Sequence, residues 1–442
     1  MLTPEARLRE LLQIPTVSHA DESRIDHAAF DRFHETVQRL YPALHAVLDR
    51  EVIAGHSVLY RWRGASDRDP LLLLAHIDVV PVTEAEWTHP PFAAEVVGDG
   101  ADAAIYARGA VDDKGALVAI LEAVEGLVAE EFVPPHDVYL AFGHNEEIAG
   151  DGARQIARVL SERGIRPAMV LDEGGAVVEG AIPGVTAPTA MIGVAERGVM
   201  TVLLTVRESG GHASTPPVFP ATARLARAID RLHRHPFPTR LAPPVRAMFA
   251  TVAPHARGPL RAVFQTLGWT GPALAAVLPR LGAETNAIAR TTAVVTELSG
   301  AAGENVLATT AQATVNVRLL TGDTIDAVTE RIGRVLADPA VEVSVQHGSD
   351  PSPVSPWKGA AWRRVAAAIA DTLGAGTVPT PYLQLGASDS RWFTPLSRHV
   401  YRFAPFRLTR AERDAIHAHD ERIRIEVWLR GIAFYRALLQ AG

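Results

Sequence analysis

The run Leu71-Leu72-Leu73-Leu74-Ala75-His76-Ile77-Asp78-Val79-Val80-Pro81 decides how the rest of the chain is read. Four leucines and an alanine without alternation predict a strand buried on both faces, as at the centre of a parallel sheet, and Pro81 stops it. His76 and Asp78 therefore fall at a strand end, where open α/β sheets place their chemistry. An imidazole that binds a metal through one nitrogen usually donates its other N–H to a carboxylate, so the pair suits a ligand and its orienter. It suits an ordinary polar strand terminus equally well.

The pattern repeats downstream. Val138–Phe142 reads as a strand that runs into Asn145-Glu146-Glu147, and Ala168–Leu171 as another that runs into Asp172-Glu173. Between them, Leu117, Ile120, Val124 and Leu127 recur at helical spacing, which puts Asp112 and Asp113 at the start of a buried helix. Acids at that position also serve as plain caps. Carboxylates crowded at one sheet edge repel each other, and a divalent cation is the simplest remedy.

Outward from this centre, residues 4–13 and about 24–41 carry helical spacing, and Ala46–Ile53 and Ser57–Trp62 read as a hairpin turning at Ala54-Gly55. From about residue 196 the order becomes β-α-β-β-α-β, the ferredoxin-like arrangement, interrupted by a Pro-rich, partly helical insertion over 236–288. Pro351, Pro353 and Pro356 mark a return linker. The expected organisation is an α/β fold with a mainly parallel sheet: a first domain (1–195) left and re-entered (351–442), with an α+β lid (196–350) inserted.

The 442 residues exceed what a single core usually supports. A net charge of -7 without a basic run argues against nucleic acid as a partner. There is no cysteine, so any metal must be held by His, Asp and Glu. Thr3-Pro4-Glu5 predicts a capped helix with no apolar signal core, and the longest uncharged stretch, Ala262 to Pro279, holds Gly268, Gly271 and Pro272, a poor membrane span. A soluble, cytoplasmic protein is expected.

In order, the motifs His76-Ile77-Asp78, Arg108-Gly109-Ala110-Val111-Asp112-Asp113-Lys114-Gly115, Glu146-Glu147, Asp172, Gly211-His212 and His417 resemble the di-zinc aminoacylase, carboxypeptidase S and glutamate-carboxypeptidase group of metallohydrolases. The similarity spans roughly residues 5 to 435. Thr285-Asn286-Ala287, the run 311–318 and Asp389-Ser390-Arg391 look particularly like the carboxypeptidase S and N-fatty-acyl amino acid synthase/hydrolase branch.

The resemblance implies two zinc ions, with cobalt or manganese as substitutes, bridged by Asp112. His76 and Asp172 complete one site, Glu147 and His417 the other, and Asp78 orients His76. A cis peptide is expected between Asp112 and Asp113. Glu146, beside a ligand but not itself one, holds the place of the general base that takes a proton from water. His212 on the lid is expected to steady the oxyanion, in this family often across a dimer interface, with Asn286 assisting. Arg318 offers a planar fork for a substrate carboxylate. His399 and His419 are decoys. Two departures stand out: Asp420 replaces an asparagine after His417, and Asn145 replaces an aspartate before the Glu pair.

The implied activity is hydrolysis of the amide bond of N-acyl amino acids or short peptides with a free carboxylate, with a dipeptidase or a non-catalytic metal-binding relative as alternatives. Met248, Phe249, Val263, Phe264, Leu267, Trp269, Leu274 and Leu278 in the insertion suggest the wall of a lipophilic channel, or else a small core or a dimer contact.

Overall fold

In the computed structural model, which describes residues 2–441, Leu71–His76 is a strand with every side chain buried. Its side chains divide by parity. Leu71, Leu73 and Ala75 enter one core, and Leu72 and Leu74 enter another on the opposite face. This strand is β3, after β1 (Asp49–Ile53) and β2 (Ser57–Trp62) and before β4 (Val138–Gly143), β5 (Met169–Asp172) and β6 (Thr189–Glu196). Helix α1 (Lys114–Ala129) packs on the first core, burying twelve of its residues. The β1–β2 hairpin pairs Ile53 with Ser57 and turns through Ala54 and Gly55, both at positive φ. Its first strand is shorter than expected: Pro42–Val47 is helical, started by a proline whose fixed φ suits a first turn.

A second sheet follows. Strand β7 (Gly198–Arg207) leads into α2 (Ala221–Arg234), and the insertion then forms α3 (Pro243–Val252), α4 (Pro259–Gln265) and α5 (Leu267–Val277). After them come β8 (Thr292–Ser299), β9 (Thr310–Leu319), α6 (Ile325–Leu336) and β10 (Val341–Ser349). The strands lie in the order β8-β9-β7-β10, all antiparallel. One face alternates inward through Val202, Leu204, Val315 and Val317 onto α2 and α6, which gives this unit a core of its own. The insertion's helices turn away from that core, which takes only Phe237 from the start of the insertion: Met248, Phe249, Phe264 and Leu278 join the core of the larger sheet.

The chain then returns with β11 (Val378–Gln384) and β12 (Val400–Arg402), completing a sheet in the order β1-β2-β4-β3-β5-β12-β6-β11. Its centre is parallel, β4, β5 and β12 running with β3, while β1 and β2 make an antiparallel edge. Because β3, β4 and β5 run the same way, the chain leaves all three at one edge. His76 pairs with Gly143 there, and Asp172 ends β5 beside them.

Candidate metal centre

Two clusters of ligand-type atoms meet at this edge and share one residue: His76 with Asp112 and Glu173, and Asp112 with Glu147 and His417. The two oxygens of Asp112 face opposite ways. Oδ1 lies 3.0 Å from His76 Nε2, and Oδ2 lies 3.1 Å from His417 Nε2. Glu147 Oε2 closes the second cluster at 3.0 Å from His417 Nε2, and Glu173 Oε2 stands 3.7 Å from His76 Nε2.

The loops carrying these groups are tied to one another by buried carboxylates. His76 Nδ1 donates to the backbone oxygen of Asp78 at 2.9 Å and lies 3.4 Å from its carboxylate, which fixes the ring with Nε2 toward Asp112. The Asp78 carboxylate also accepts the N–H groups of Glu146 and Glu147, both at 3.1 Å, so the strand end after β3 sets the pair after β4. Glu421 does the same for the two remaining loops. It accepts from Arg108 Nη1 (2.6 Å) and from the backbone N–H groups of Gly109, Val111 and Asp112, while Arg108 donates to the oxygen of Ala418, next to His417. The Asp112–Asp113 peptide is cis, Asp113 accepts the N–H of His76 at 3.2 Å, and the buried Lys114 ammonium donates to the Leu11 and Ile14 carbonyls.

Electrostatically the cluster is a concentration of acid around two imidazoles. Hydrogen bonds to Asp112 and Glu147 push His417 up to about 10. His76 is raised as well: burial works against its charge, and Glu173 and Asp112 outweigh it. Burial pushes Glu146 and Glu173 upward, and the neighbouring acids push them further. Glu147 Oε1 is buried without a partner. A donor set of carboxylate oxygens and imidazole nitrogens around a shared carboxylate, with one buried oxygen orphaned, fits a pair of divalent cations. Glu146 stands beside this set, with no hydrogen bond or ion pair from its carboxylate among the described residues.

The expected residue Asp172 is not in the cluster. As the last residue of β5, it turns its carboxylate onto the Ser390 N–H (2.7 Å) and the Glu173 N–H (2.9 Å). Glu173, the first residue off the strand, reaches His76 instead. His212 is exposed, its Nδ1 accepting from Ser214 N and Oγ, and it touches neither cluster. Asn286 sits in the helix Ala283–Ala289 and lines a separate cavity with Arg290 and Thr292. Arg318 is paired across the lid sheet with Thr292 and Val199, and among the described residues its guanidinium donates only to Asn316 Oδ1. Beside it lies a cation the sequence reading passed over, Arg197, which is buried and donates to the Arg290 and Arg318 carbonyls and to Thr292 Oγ1. Burial and the charge of Arg318 push Arg197 down to about 10, and no acid neutralises either guanidinium among the described ion pairs. Asp420 holds Thr88 through its N–H and hydroxyl, both at 2.8 Å, and so ties the Pro-rich loop to the His417 loop. His399 lies off-site against Tyr401.

Next to the cluster runs an apolar cavity of ≈ 290 Å³. Gly174 and Gly175, directly after Glu173, and Ile416, directly before His417, line it at the cluster, and Met248, Phe249, Phe264, Leu274 and Leu278 of the insertion form its far wall. Trp269 takes no part; it is 91% exposed.

Comparison with known proteins is consistent along the chain. The model of the peptidase family M20/M25/M40 matches residues 72–441. The N-fatty-acyl-amino acid synthase/hydrolase PM20D1 of Xenopus tropicalis is 36% identical over 439 residues, covering 98% of this chain and 84% of the relative. The probable carboxypeptidase S-like 2 of Dictyostelium discoideum is 32% identical over 445 residues, with 98% and 84% covered. Among solved structures, the M20 family metallo-carboxypeptidase Sso-CP2 from Sulfolobus solfataricus superposes with a TM-score of 0.74 at 19% identity over 100% of this chain and 99% of that one.

Proposed function

The chain belongs to the peptidase family M20/M25/M40, and from that premise we propose that it hydrolyses the amide bond of N-acyl amino acids that keep a free carboxylate, with a preference for lipophilic acyl groups. The observation that carries this reading is the pair of ligand clusters joined by Asp112 with a carboxyl group, Glu146, left free beside them.

His76, Asp112 and Glu173 would hold one cation and Asp112, Glu147 and His417 the other, zinc being the ion we propose and cobalt or manganese able to use the same donors. When bound, such a pair supplies Lewis-acid polarisation of the carbonyl and lowers the pKa of the attacking water. Glu146 takes the proton of that water as its oxygen bonds to the carbonyl carbon, and returns the proton to nitrogen as the C–N bond breaks. Burial raises its pKa above the ordinary carboxylate value, the direction expected of a group that takes up a proton and returns it. Asp78 keeps this residue in place through its backbone N–H.

The two guanidiniums without acid partners, Arg197 and Arg318, support recognition of the substrate carboxylate. The cavity walled by Met248, Phe249 and Phe264 supports a long or aromatic acyl group. The exposed ring of His212 supports a homodimer through the lid in which it completes the site of a second copy; light scattering that finds only monomer at all concentrations would remove this part. The test of the chemistry is Glu146→Gln, which should retain both metal equivalents and lose about two to four orders of magnitude in kcat. A Glu146→Gln protein with full turnover would overturn the assignment.

A further inference from the structure

Helix α5 turns apolar surface to both sides. It contains no charged residue, and its inward residues Leu267, Gly271 and Ala275 are buried, while Leu274 lines the cavity. On the outside, Trp269, Pro272, Ala273, Ala276 and Val277 recur at the spacing of one helical face, and all are exposed. Trp269 is 91% exposed and Val277 45%, and Leu281, one turn further on, is 58% exposed. A surface helix ordinarily points charge at water, and a continuous outward apolar stripe marks a contact with something else.

The charges around the stripe say what that is. No Asp or Glu occurs between Leu241 and Ala283, whereas Arg246, Arg257, Arg261 and Arg280 lie in that segment and are exposed. Arg240, at the root of the insertion, is paired with Asp323; the four further out have no acid in their own segment to pair with. A chain of net charge -7 thus carries one segment that is locally cationic and apolar on its exposed surface. Arg280 sits at the stripe itself, donating to the Ala276 carbonyl, whereas Arg246 donates to the carbonyl of the inward Leu267.

We propose that this face docks on an anionic lipid bilayer, with Trp269 and Val277 at the boundary of the acyl region and the arginines against lipid phosphates. Tryptophan with arginine on one face is the composition that settles at a membrane interface, and anionic headgroups attract each basic residue near the surface. A second copy of the chain is a poorer occupant, because a two-fold contact through this face would set the same arginines against each other. The face lies on the outer side of the helix whose inner side walls the cavity. A lipophilic substrate would then have a short path from bilayer to site, a consequence that rests on the acyl reading above; the docking does not.

The experiment is co-flotation of the full chain with vesicles of phosphatidylcholine alone and of phosphatidylcholine with phosphatidylglycerol. The chain is expected to float with the second and not the first, and to be released by salt. The pair Trp269→Ser with Val277→Ser, and separately Arg257→Gln with Arg261→Gln and Arg280→Gln, should each cut the bound fraction by roughly tenfold or more. Both variants should keep wild-type turnover of a short-chain, water-soluble substrate, which certifies their folding. Failure to float with anionic vesicles, or equal flotation of wild type and both variants, would overturn the proposal. So would self-association lost on changing Trp269 in a chain that does not bind vesicles. Each of these leaves the hydrolase reading intact, since that reading fails only if the metal-loaded chain releases no amino acid.

Discussion

At the scale of single residues, the site turns on which of two adjacent acids leaves the strand. Asp172 is held by β5 and spends its oxygens on the N–H groups of Glu173 and Ser390, whereas Glu173 swings free toward His76. Glu173→Gln should therefore lose about one metal equivalent, while Asp172→Asn should keep both and lose stability; metal analysis of the two purified variants checks this. Metal retained by the first variant and lost by the second would reverse the assignment. His76, Asp112, Glu147 and His417 were legible in the sequence because each belongs to a local motif. Glu173 was not, because choosing between neighbours depends on where the strand stops. Glu421 and Arg197 were also missed: each acts on residues far away in sequence, and the acid that follows Asp420 gives no local sign of holding the Asp112 loop.

Among elements, β3 was the most readable, since a run buried on both faces needs no knowledge of its partners to be placed at a sheet centre. The insertion was the least readable. Its large side chains fit a channel wall, a private core or a dimer contact equally well by composition, and the fold separates them. Phe249, Phe264, Leu274 and Leu278 line the cavity, while Val263 packs on the core and Trp269 faces outward. Filling that cavity should act on substrate choice more than on chemistry. Leu274→Trp is expected to lower kcat/KM for long acyl chains by about tenfold relative to short ones, measured as a ratio within the same preparation. An unchanged ratio would remove the cavity from the acyl site. The lid was expected from its β-α-β-β-α-β order, and the strands lie in the order β8-β9-β7-β10 with the two central ones, β7 and β9, alternating a buried and a less buried face.

For the whole molecule, the stability of the larger unit carries an acid-sensitive component. Burial, with the charge of Arg50, pushes His34 down to about 4, and burial lowers His56 and His144 as well. These rings cluster, His34 stacking on His56 and His56 meeting His144 edge-on. A histidine whose pKa is lower folded than unfolded adds stability that is fully present above its ordinary value of 6.5, and that stability is lost as pH falls toward about 4. Tm should fall over that window, and His34→Asn should flatten the fall; parallel curves for the two proteins would show that His34 contributes nothing.

The central claim, that two ligand clusters sharing Asp112 work with Glu146 to cleave the amide bond of an N-acyl amino acid, is tested most directly by one assay. The release of free amino acid from a long-chain N-acyl amino acid is followed before chelation, after it, and on stepwise return of zinc. The account predicts release that vanishes on chelation and recovers fully at about two zinc equivalents per chain. Release that is absent throughout, or that chelation leaves untouched, would contradict it.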